Sequence, residues 1–453
     1  MRAQHGALVG EYKLHYDDAS GEIAAEAHFD AAVGASFVVE EGAGDFVEKA
    51  EVAEGKDGTA FKPIVQNGST FRVDACARGP CHVRYRYALR RASKSADDLD
   101  IAAEESGAIE APPSSWLVAP ADVTGGARIR FRVTTSEGAR FATGVFRSAE
   151  AEGAWDLALD DLWTTPYSIF GPLRIRKVDV TGGFVEVALA PGKLVFDDDK
   201  IVDWVQNAAK AVTTYVGQWP MPSSLVILVP AHGRWVGGGR TLAGGGGTVF
   251  MRIGERAPAS AYKEDWVIVH EMIHLVFPSV GRQHNWIEEG IATYVEPFAR
   301  VRVGQLPETD AWRGLVEGLP NGLPAGRDAG LDHTPTWGRV YWGGALFWLL
   351  VDVELHKRTQ NAKGVEHVLR GFGDAGMSNA RRYTMAEVVA VADRATGTTV
   401  VSETYEKMRA SPHPVDLDAL WKQLGVELAS GRVRFDDKAP LASVRRSIAN
   451  GKP

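Results

Sequence analysis

The sequence is poor in cysteine, with two in 453 residues, and it has no apolar run of the roughly 18–20 residues that a membrane-spanning helix needs. Neither acids nor bases dominate. Fifty basic and 58 acidic residues give a net charge of −8, which argues against nucleic acid or an anionic membrane as partner. Apolar residues make up 45% and charged residues 24% of the chain, as in ordinary globular proteins. The length predicts two to four domains, and the oligomeric state stays open.

Both cysteines lie in one short stretch, as Cys76 and Cys81. Strand-like alternation in residues 71–75 and 83–89 predicts a hairpin whose loop brings the two sulfurs within disulfide reach. There are two alternatives. The cysteines could be two free thiols, or they could be half of a metal site, although no second cysteine pair exists to complete it. An oxidised pair implies export to the periplasm or outside the cell. The first residues show no apolar signal core, so we expect an exported protein supplied without its leader; a cytoplasmic location stays open.

A buried helix with three ionisable side chains is predicted past the middle of the chain. Residues 266–277 are apolar almost all round apart from His270, Glu271 and His274. The two histidines, four residues apart, lie on one helix face and can share a metal ion. Glu271 then points near the open side of that ion, as the general base of zinc hydrolases does. Two core histidines bonded to the backbone are the alternative, but burying them without metal or partner is costly.

The third metal ligand is expected from the next helix, which contains Glu288 and Glu289. Because these two are adjacent, only one of them can face the first helix. Asn285 and Glu288 fit a capping box, which would occupy Glu288 at the helix start. Glu289 is therefore predicted to complete a zinc site with the two histidines. Pro297 is expected to end this second helix.

These motifs resemble the gluzincin metallopeptidases, whose third ligand is the Glu of a Glu-Gly-x-x-x-Tyr helix, here Glu289, Gly290 and Tyr294. Within that group the chain is most similar to the glycyl aminopeptidase family (metallopeptidase family sixty-one), and the resemblance covers most of the chain. Residues 341–352 resemble that family's Tyr-x-x-Gly helix. The resemblance implies that Tyr341 donates a hydrogen bond to the oxyanion of the tetrahedral intermediate. A buried tyrosine bonded to the backbone is the alternative. We expect no PDZ module of the kind that the family often carries.

A glycine-rich run, residues 237–253, precedes the metal motif. It lacks the Gly-Lys-Ser/Thr ending of a phosphate loop, so nucleotide binding is not predicted. One interpretation is that Gly246, Gly247 and Thr248 open an edge strand, residues 248–251, that pairs with a peptide substrate; the other is a flexible turn. In the resembled family this region has a Glu that holds the substrate's amino terminus. No acidic residue occurs in the run here, so a strict aminopeptidase specificity is not implied.

The predicted fold is multidomain. It has an antiparallel β-sandwich-like domain over residues 1–172, a thermolysin-like α+β zinc catalytic domain over residues 173–303 and an α-helical domain over residues 304–453. The predicted function is zinc-dependent hydrolysis of a peptide or protein substrate, as an exopeptidase or an endopeptidase. The alternative is a non-catalytic, zinc-containing peptide-binding or scaffolding protein on the same fold. Glu271 favours the enzyme, because a protein that only binds has little use for a base.

Overall fold

The structure is a computed structural model that describes residues 6–96, 98–123 and 125–451. The first five residues, which bear on the predicted missing leader, lie outside the described part. The chain forms two compact units. The first comprises Met1–Asp179, Phe184–Val202 and Met221–Tyr262, and the second comprises Val180–Gly183, Asp203–Pro220 and Lys263–Pro453. The division into three domains stays a prediction.

Strands dominate the first unit because its sequence alternates apolar and polar residues, which buries one face of each strand. In the first strand Leu14 is buried, whereas Lys13 and His15 on either side of it are exposed. The strands are β1 (Leu8–Asp17), β2 (Glu22–Phe29), β3 (Ser36–Val38), β4 (Val47–Glu54), β5 (Lys62–Pro63), β6 (Val65–Asn67), β7 (Thr70–Arg72), β8 (Cys81–Tyr87), β9 (Ala103–Glu105), β10 (Ala108–Ala111), β11 (Ala119–Pro120), β12 (Arg128–Thr135), β13 (Arg140–Thr143), β14 (Trp155–Ala158), β15 (Ser168–Gly171), β16 (Arg174–Val180), β17 (Gly183–Leu189), β18 (Ser223–Ala231), β19 (Val236–Leu242) and β20 (Thr248–Gly254). Three short helices join them: α1 (Asp74–Arg78), α2 (Leu89–Ala96) and α3 (Pro113–Trp116).

These strands form a seven-stranded sheet, two four-stranded sheets and a five-stranded sheet. The seven-stranded sheet has the order β14-β12-β1-β2-β8-β4-β5, and its β1 and β12 run parallel. The four-stranded sheets have the orders β13-β15-β10-β9 and β11-β3-β7-β6. In the five-stranded sheet, β16-β17-β18-β20-β19, the strands β17, β18 and β20 are parallel, and β19 is an antiparallel edge strand. The predicted β-rich amino-terminal region is thus present, but the prediction that it is antiparallel is wrong for β1 and β12, which pair in parallel.

The cysteine hairpin is a wrong prediction, although Cys76 and Cys81 are joined by a disulfide. Strands β7 and β8 belong to different sheets, and Cys76 lies in α1, which runs between them. Strand β7 pairs instead with β6 through the tight turn at Gly68, whose φ of +57° suits glycine. The short helix brings the two Cα atoms to 5.2 Å, so the disulfide forms without a hairpin.

The second unit is mainly helical. The helices that follow in the chain are α4 (Asp198–Val216), α5 (Ala259–Glu264), α6 (Val267–Val276), α7 (Asn285–Arg302), α8 (Glu308–Gly318), α9 (Gly344–Arg358), α10 (Val365–Asp374), α11 (Met385–Thr396), α12 (Val400–Met408), α13 (Leu417–Leu424) and α14 (Ala442–Asn450), and a hairpin of β21 (Val426–Ala429) and β22 (Arg432–Phe435) lies between the last two. No helix among the described residues combines the length and the apolar character that crossing a membrane requires.

The prediction that Pro297 ends the second of the two helices predicted to bind the metal is wrong, because Pro297 lies inside α7. The helix continues because Phe298 and Ala299 are fully buried, and because Arg300 pairs with Glu296 at 2.8 Å on the turn that the proline interrupts. Packing therefore outweighs the backbone hydrogen bond that proline cannot donate.

Candidate metal centre

Helix α6 presents His270 and His274 on one buried face. The helix begins where the Asp265 carboxylate accepts the N–H groups of Val267 and Ile268, at 3.1 and 3.3 Å. His270 is 4% and His274 9% exposed, and their ring centroids are 5.0 Å apart with the rings nearly perpendicular. The apolar residues around them bury the helix, as the sequence predicts.

Helix α7 brings Glu289 to both histidines. One Glu289 carboxylate oxygen, Oε2, lies 3.4 Å from Nε2 of His270 and 3.4 Å from Nε2 of His274. One ligand atom from each of the three residues lies within 4.8 Å of the other two. The structure therefore brings together the three residues predicted as metal ligands.

Glu288 turns away from this group, but not for the reason that the sequence suggested. Helix α7 begins without a side-chain cap, so the predicted capping box with Asn285 is wrong. The Glu288 carboxylate instead accepts the N–H of Val280 at 2.8 Å, because the chain leaving α6 passes beside it. Burial raises the pKa of Glu288 to about 7.

Charge is concentrated around the two histidines. Burial lowers the pKa of His274, but the carboxylates of Glu289 and Glu271 outweigh burial, and the pKa rises to about 9. Burial also opposes ionisation of Glu289, yet the two imidazoles hold the pKa of this carboxyl well below its ordinary value. A cation is therefore favoured between these groups.

The donor set fits zinc. Two imidazole nitrogens and one carboxylate oxygen are a ligand set of catalytic zinc sites, which keep a fourth position for water or substrate. Ligand atoms about 2.05 Å from a tetrahedral zinc lie roughly 3.3 Å apart. The two 3.4 Å separations between Glu289 and the imidazoles match that spacing.

Two further residues predicted for catalysis, Glu271 and Tyr341, accompany the ligands. Glu271 follows His270 in α6 and is 8% exposed. Tyr341 lies in a π-helical turn, Gly338–Gly343, that leads into α9, and its ring is 6.4 Å from the His270 ring and nearly parallel to it. Burial and the nearby carboxylates of Glu289 and Glu271 raise the pKa of Tyr341 to about 12, so the phenol keeps its proton at neutral pH.

The backbones of α7 and α9 meet at Gly290 and Gly344. A Cβ atom added to Gly290 would lie 2.7 Å from the carbonyl oxygen of Gly344 and still closer to its Cα and carbonyl carbon. Gly290 follows the ligand Glu289, and Gly344 comes three residues after Tyr341. The close approach at Gly344 is thus made by the chain's own helix α7, one residue after Glu289 and three residues after Tyr341.

A buried hydrogen bond, which sequence reasoning missed, ties the same two helices together. The Tyr294 hydroxyl of α7 donates to the Asp352 carboxylate of α9 at 2.7 Å, and neither residue is exposed. The Tyr294 bond uses Oδ2 of Asp352, whereas Oδ1 accepts the N–H of Val365 at 2.9 Å and lies 3.4 Å from His356 Nε2. The sequence feature that points to this hydrogen bond is Asp352 itself, an acidic residue within the apolar stretch of α9, because a buried carboxylate needs hydrogen-bond partners.

Two exposed indoles, also missed, lie beside the site. Trp266 packs edge-on against His270 at 5.4 Å, and Trp337 lies 6.2 Å from the Tyr341 ring. Trp266 is 51% and Trp337 64% exposed, unusually high values for tryptophan. They offer apolar surface to a ligand at the metal centre.

The prediction that Gly246, Gly247 and Thr248 open a substrate-binding edge strand is wrong. Strand β20 lies between β18 and β19, so both of its edges are paired. Gly247 donates its N–H to the carbonyl of Gly144 at 3.0 Å, and its carbonyl accepts the N–H of Leu225 at 2.9 Å. Thr248 is fully buried. A side chain on Gly246 would overlap the backbone of Gly144, so this glycine permits close strand packing rather than substrate approach.

No protein-family model matches the chain, and no curated protein sequence does either. Its fold is that of M1 zinc metallopeptidases. An aminopeptidase N family protein of Idiomarina loihiensis has a TM-score of 0.69 at 13% identity, over 92% of this chain and 78% of that one. The M1 zinc metallopeptidase of Deinococcus radiodurans has a TM-score of 0.55 at 14% identity, over 91% of this chain and 96% of that one. A point mutant of the latter was solved bound to a Tyr-Ser-Ala substrate. At these identities the likeness shows the fold, with its β-rich amino-terminal and helical carboxy-terminal regions.

Proposed function

We propose that the protein is a zinc-dependent peptidase. One observation carries the proposal: His270, His274 and Glu289 converge with the 3.4 Å spacing of ligands on one zinc ion. The fold shared with zinc metallopeptidases supports it. Zinc bound there would polarise the scissile carbonyl and lower the pKa of a water molecule.

The chain's own residues supply the remaining steps. Glu271 takes a proton from the attacking water and passes it to the leaving amine, as a general base and then a general acid. The Tyr341 phenol, kept protonated, donates a hydrogen bond to the oxyanion of the tetrahedral intermediate. Trp266 and Trp337 contact apolar side chains of the peptide.

A narrower assignment is also proposed, to a gluzincin similar to the glycyl aminopeptidase family with a thermolysin-like catalytic domain. It rests on the Glu289, Gly290 and Tyr294 helix, on the Tyr341 turn, and on the five-stranded sheet with its antiparallel edge strand β19, which precedes the metal helices in the chain. The proposed domains are residues 1–172, 173–303 and 304–453, and the substrate is a peptide or protein.

The test separates catalysis from metal binding. Glu271→Gln should keep zinc and fold but lose hydrolysis of a peptide library, because only the base is removed. His270→Ala should lose this zinc ion, seen by elemental analysis. Unchanged turnover in Glu271→Gln refutes the mechanism. Peptide binding without turnover in zinc-replete buffer identifies the alternative, a peptide-binding or scaffolding protein.

The same digest separates two modes of peptide cleavage. Stepwise loss of amino-terminal residues identifies an aminopeptidase, whereas internal cleavage of an amino-blocked peptide identifies an endopeptidase. Point mutants of an M1 zinc metallopeptidase with this fold were solved bound to single amino acids, L-tryptophan and L-arginine. We therefore propose aminopeptidase action. We do not assign the binding of the substrate's amino group to any residue of the glycine-rich run.

A further inference from the structure

A second histidine cluster lies on the outer face of the seven-stranded sheet in the first unit. His28 of β2 and His82 of β8 are directly paired across the two strands, and their rings stack with centroids 4.1 Å apart. Glu26, two residues before His28, lies on the same face of β2 because strand side chains alternate. One ligand atom from each of the three residues lies within 4.8 Å of the other two.

The loop between β4 and β5 orients both imidazoles. His28 Nδ1 lies 2.8 Å from the carbonyl oxygen of Lys56, and His82 Nδ1 lies 3.2 Å from the carbonyl oxygen of Gly58. A carbonyl can only accept, so each Nδ1 carries the proton and donates it. The Nε2 atoms therefore carry the lone pairs. A backbone carbonyl on one ring nitrogen is the usual support for a histidine whose other nitrogen binds a metal.

The loop itself is held in place. Lys56 forms an ion pair at 2.6 Å with Asp30, the residue that follows β2. A side chain on Gly58 would overlap the carbonyl of Glu54, so the loop conformation requires glycine there. The two carbonyls are thus fixed above the histidine pair before any ligand binds.

Within the described part of the chain, His82 Nε2 is buried and has no hydrogen-bond partner. A buried nitrogen lone pair without a hydrogen-bond donor is unfavourable, and the stacked ring of His28 supplies no donor to it. The nearby cation Arg84 already pairs with Glu51 at 2.7 Å.

We propose that Glu26, His28 and His82 form a second metal site, which takes a divalent transition metal such as zinc. Two imidazoles and a carboxylate are the donor set of the candidate catalytic centre, so both sites favour the same ions. Zinc bound there would also hold the loop of residues 55–60 against the sheet, through the imidazoles that bind its carbonyls. The proposal is independent of the peptidase activity.

The experiment counts zinc equivalents bound by the untagged chain at a fixed, low-micromolar free zinc concentration. Wild type should bind two, His28→Ala and His82→Ala one each, and His28→Ala/His270→Ala none. His232→Ala is the matched control, because His232 is an exposed histidine of the same unit, and it should still bind two. Circular dichroism checks that each variant is folded.

The outcomes separate the two sites. If His28→Ala binds as much zinc as wild type, the second site is refuted. If His28→Ala loses one equivalent whereas His270→Ala loses none, the second site stands and the proposed catalytic centre fails. In the His270→Ala background, zinc should still raise the melting temperature, and adding His28→Ala should abolish that rise. A rise that survives in the double variant overturns the proposal.

Discussion

Replacing Gly290 by Ala should damage the candidate metal centre without changing any of its three proposed ligands. The new Cβ would stand 2.7 Å from the Gly344 carbonyl oxygen, whereas ordinary contacts begin at 3.4 Å. Helices α7 and α9 must therefore separate by more than 3.4 − 2.7 = 0.7 Å at this point, because the Cα and carbonyl carbon of Gly344 would lie closer still. Such a movement displaces Glu289 relative to Tyr341.

The magnitude follows from that displacement. A misplacement of about 1 Å in an active site costs roughly 100-fold in rate, so kcat/KM for a fluorogenic peptide should fall by about that factor. Overpacking should also lower the free energy of unfolding by about 1–3 kcal/mol. Zinc affinity, measured by competition with a chelating dye, should weaken as well, which tests the geometry independently of any substrate.

Gly314→Ala is the matched control. Gly314 lies in helix α8, is exposed, and has no atom within 4 Å of the position that a Cβ would take. The substitution should stabilise the protein by about 0.5–1 kcal/mol and leave activity and zinc affinity unchanged. If Gly290→Ala behaves like Gly314→Ala in all three measurements, the contact between the two helix backbones does not position the site.

Three more predictions follow from single groups. Tyr341→Phe should lower kcat roughly 100-fold with little change in zinc content, and equal kcat would remove the phenol from the mechanism. Tyr294→Phe leaves the buried Asp352 one donor short and should cost about 1.5–3 kcal/mol in denaturant unfolding; no loss would show that the hydrogen bond is replaced. Burial raises the pKa of Asp265 from 3.8 to about 6. Between these two pH values the folded protein holds a proton on Asp265 that the unfolded chain has lost. The contribution of Asp265 to the free energy of unfolding therefore falls as pH rises from about 4 to 6, and it stays low above pH 6. In wild type the free energy of unfolding should decline by about 3 kcal/mol between pH 4 and 7 because of this group, and Asp265→Asn should remove that decline. Both are measured on chelator-treated protein, and an identical pH dependence in wild type and variant would contradict the prediction.

The cluster of His270, His274 and Glu289 could be predicted from the sequence because its signal is local. His270 and His274 share a helix face by spacing alone, and the adjacent Glu288 and Glu289 left a choice between two residues. The structure places Glu289 beside both histidines, but the reason given for the choice is wrong, because the N–H that occupies Glu288 belongs to Val280 in the connecting chain. No local pattern reveals which distant backbone group passes beside a side chain.

The errors concern contacts between segments that are distant in sequence. The glycines around Gly246 look like an opening for substrate, but their neighbours, Gly144 and Leu225, lie far away in the chain. The Cys76 and Cys81 flanks alternate as strands do, yet the strands belong to different sheets. Periodicity identifies a strand's buried face but not its partners.

The π-helical turn at Gly338–Gly343 has a further consequence for how the chain tolerates change in length. Such a turn holds one residue more than an α-helical turn, so Tyr341 faces a direction that a regular helix would not give it. Deleting a single residue there would let the segment relax into an α-helix that runs unbroken into α9. The core packing of α9 beyond Gly344 would survive, and the phenol of Tyr341 would move away from His270.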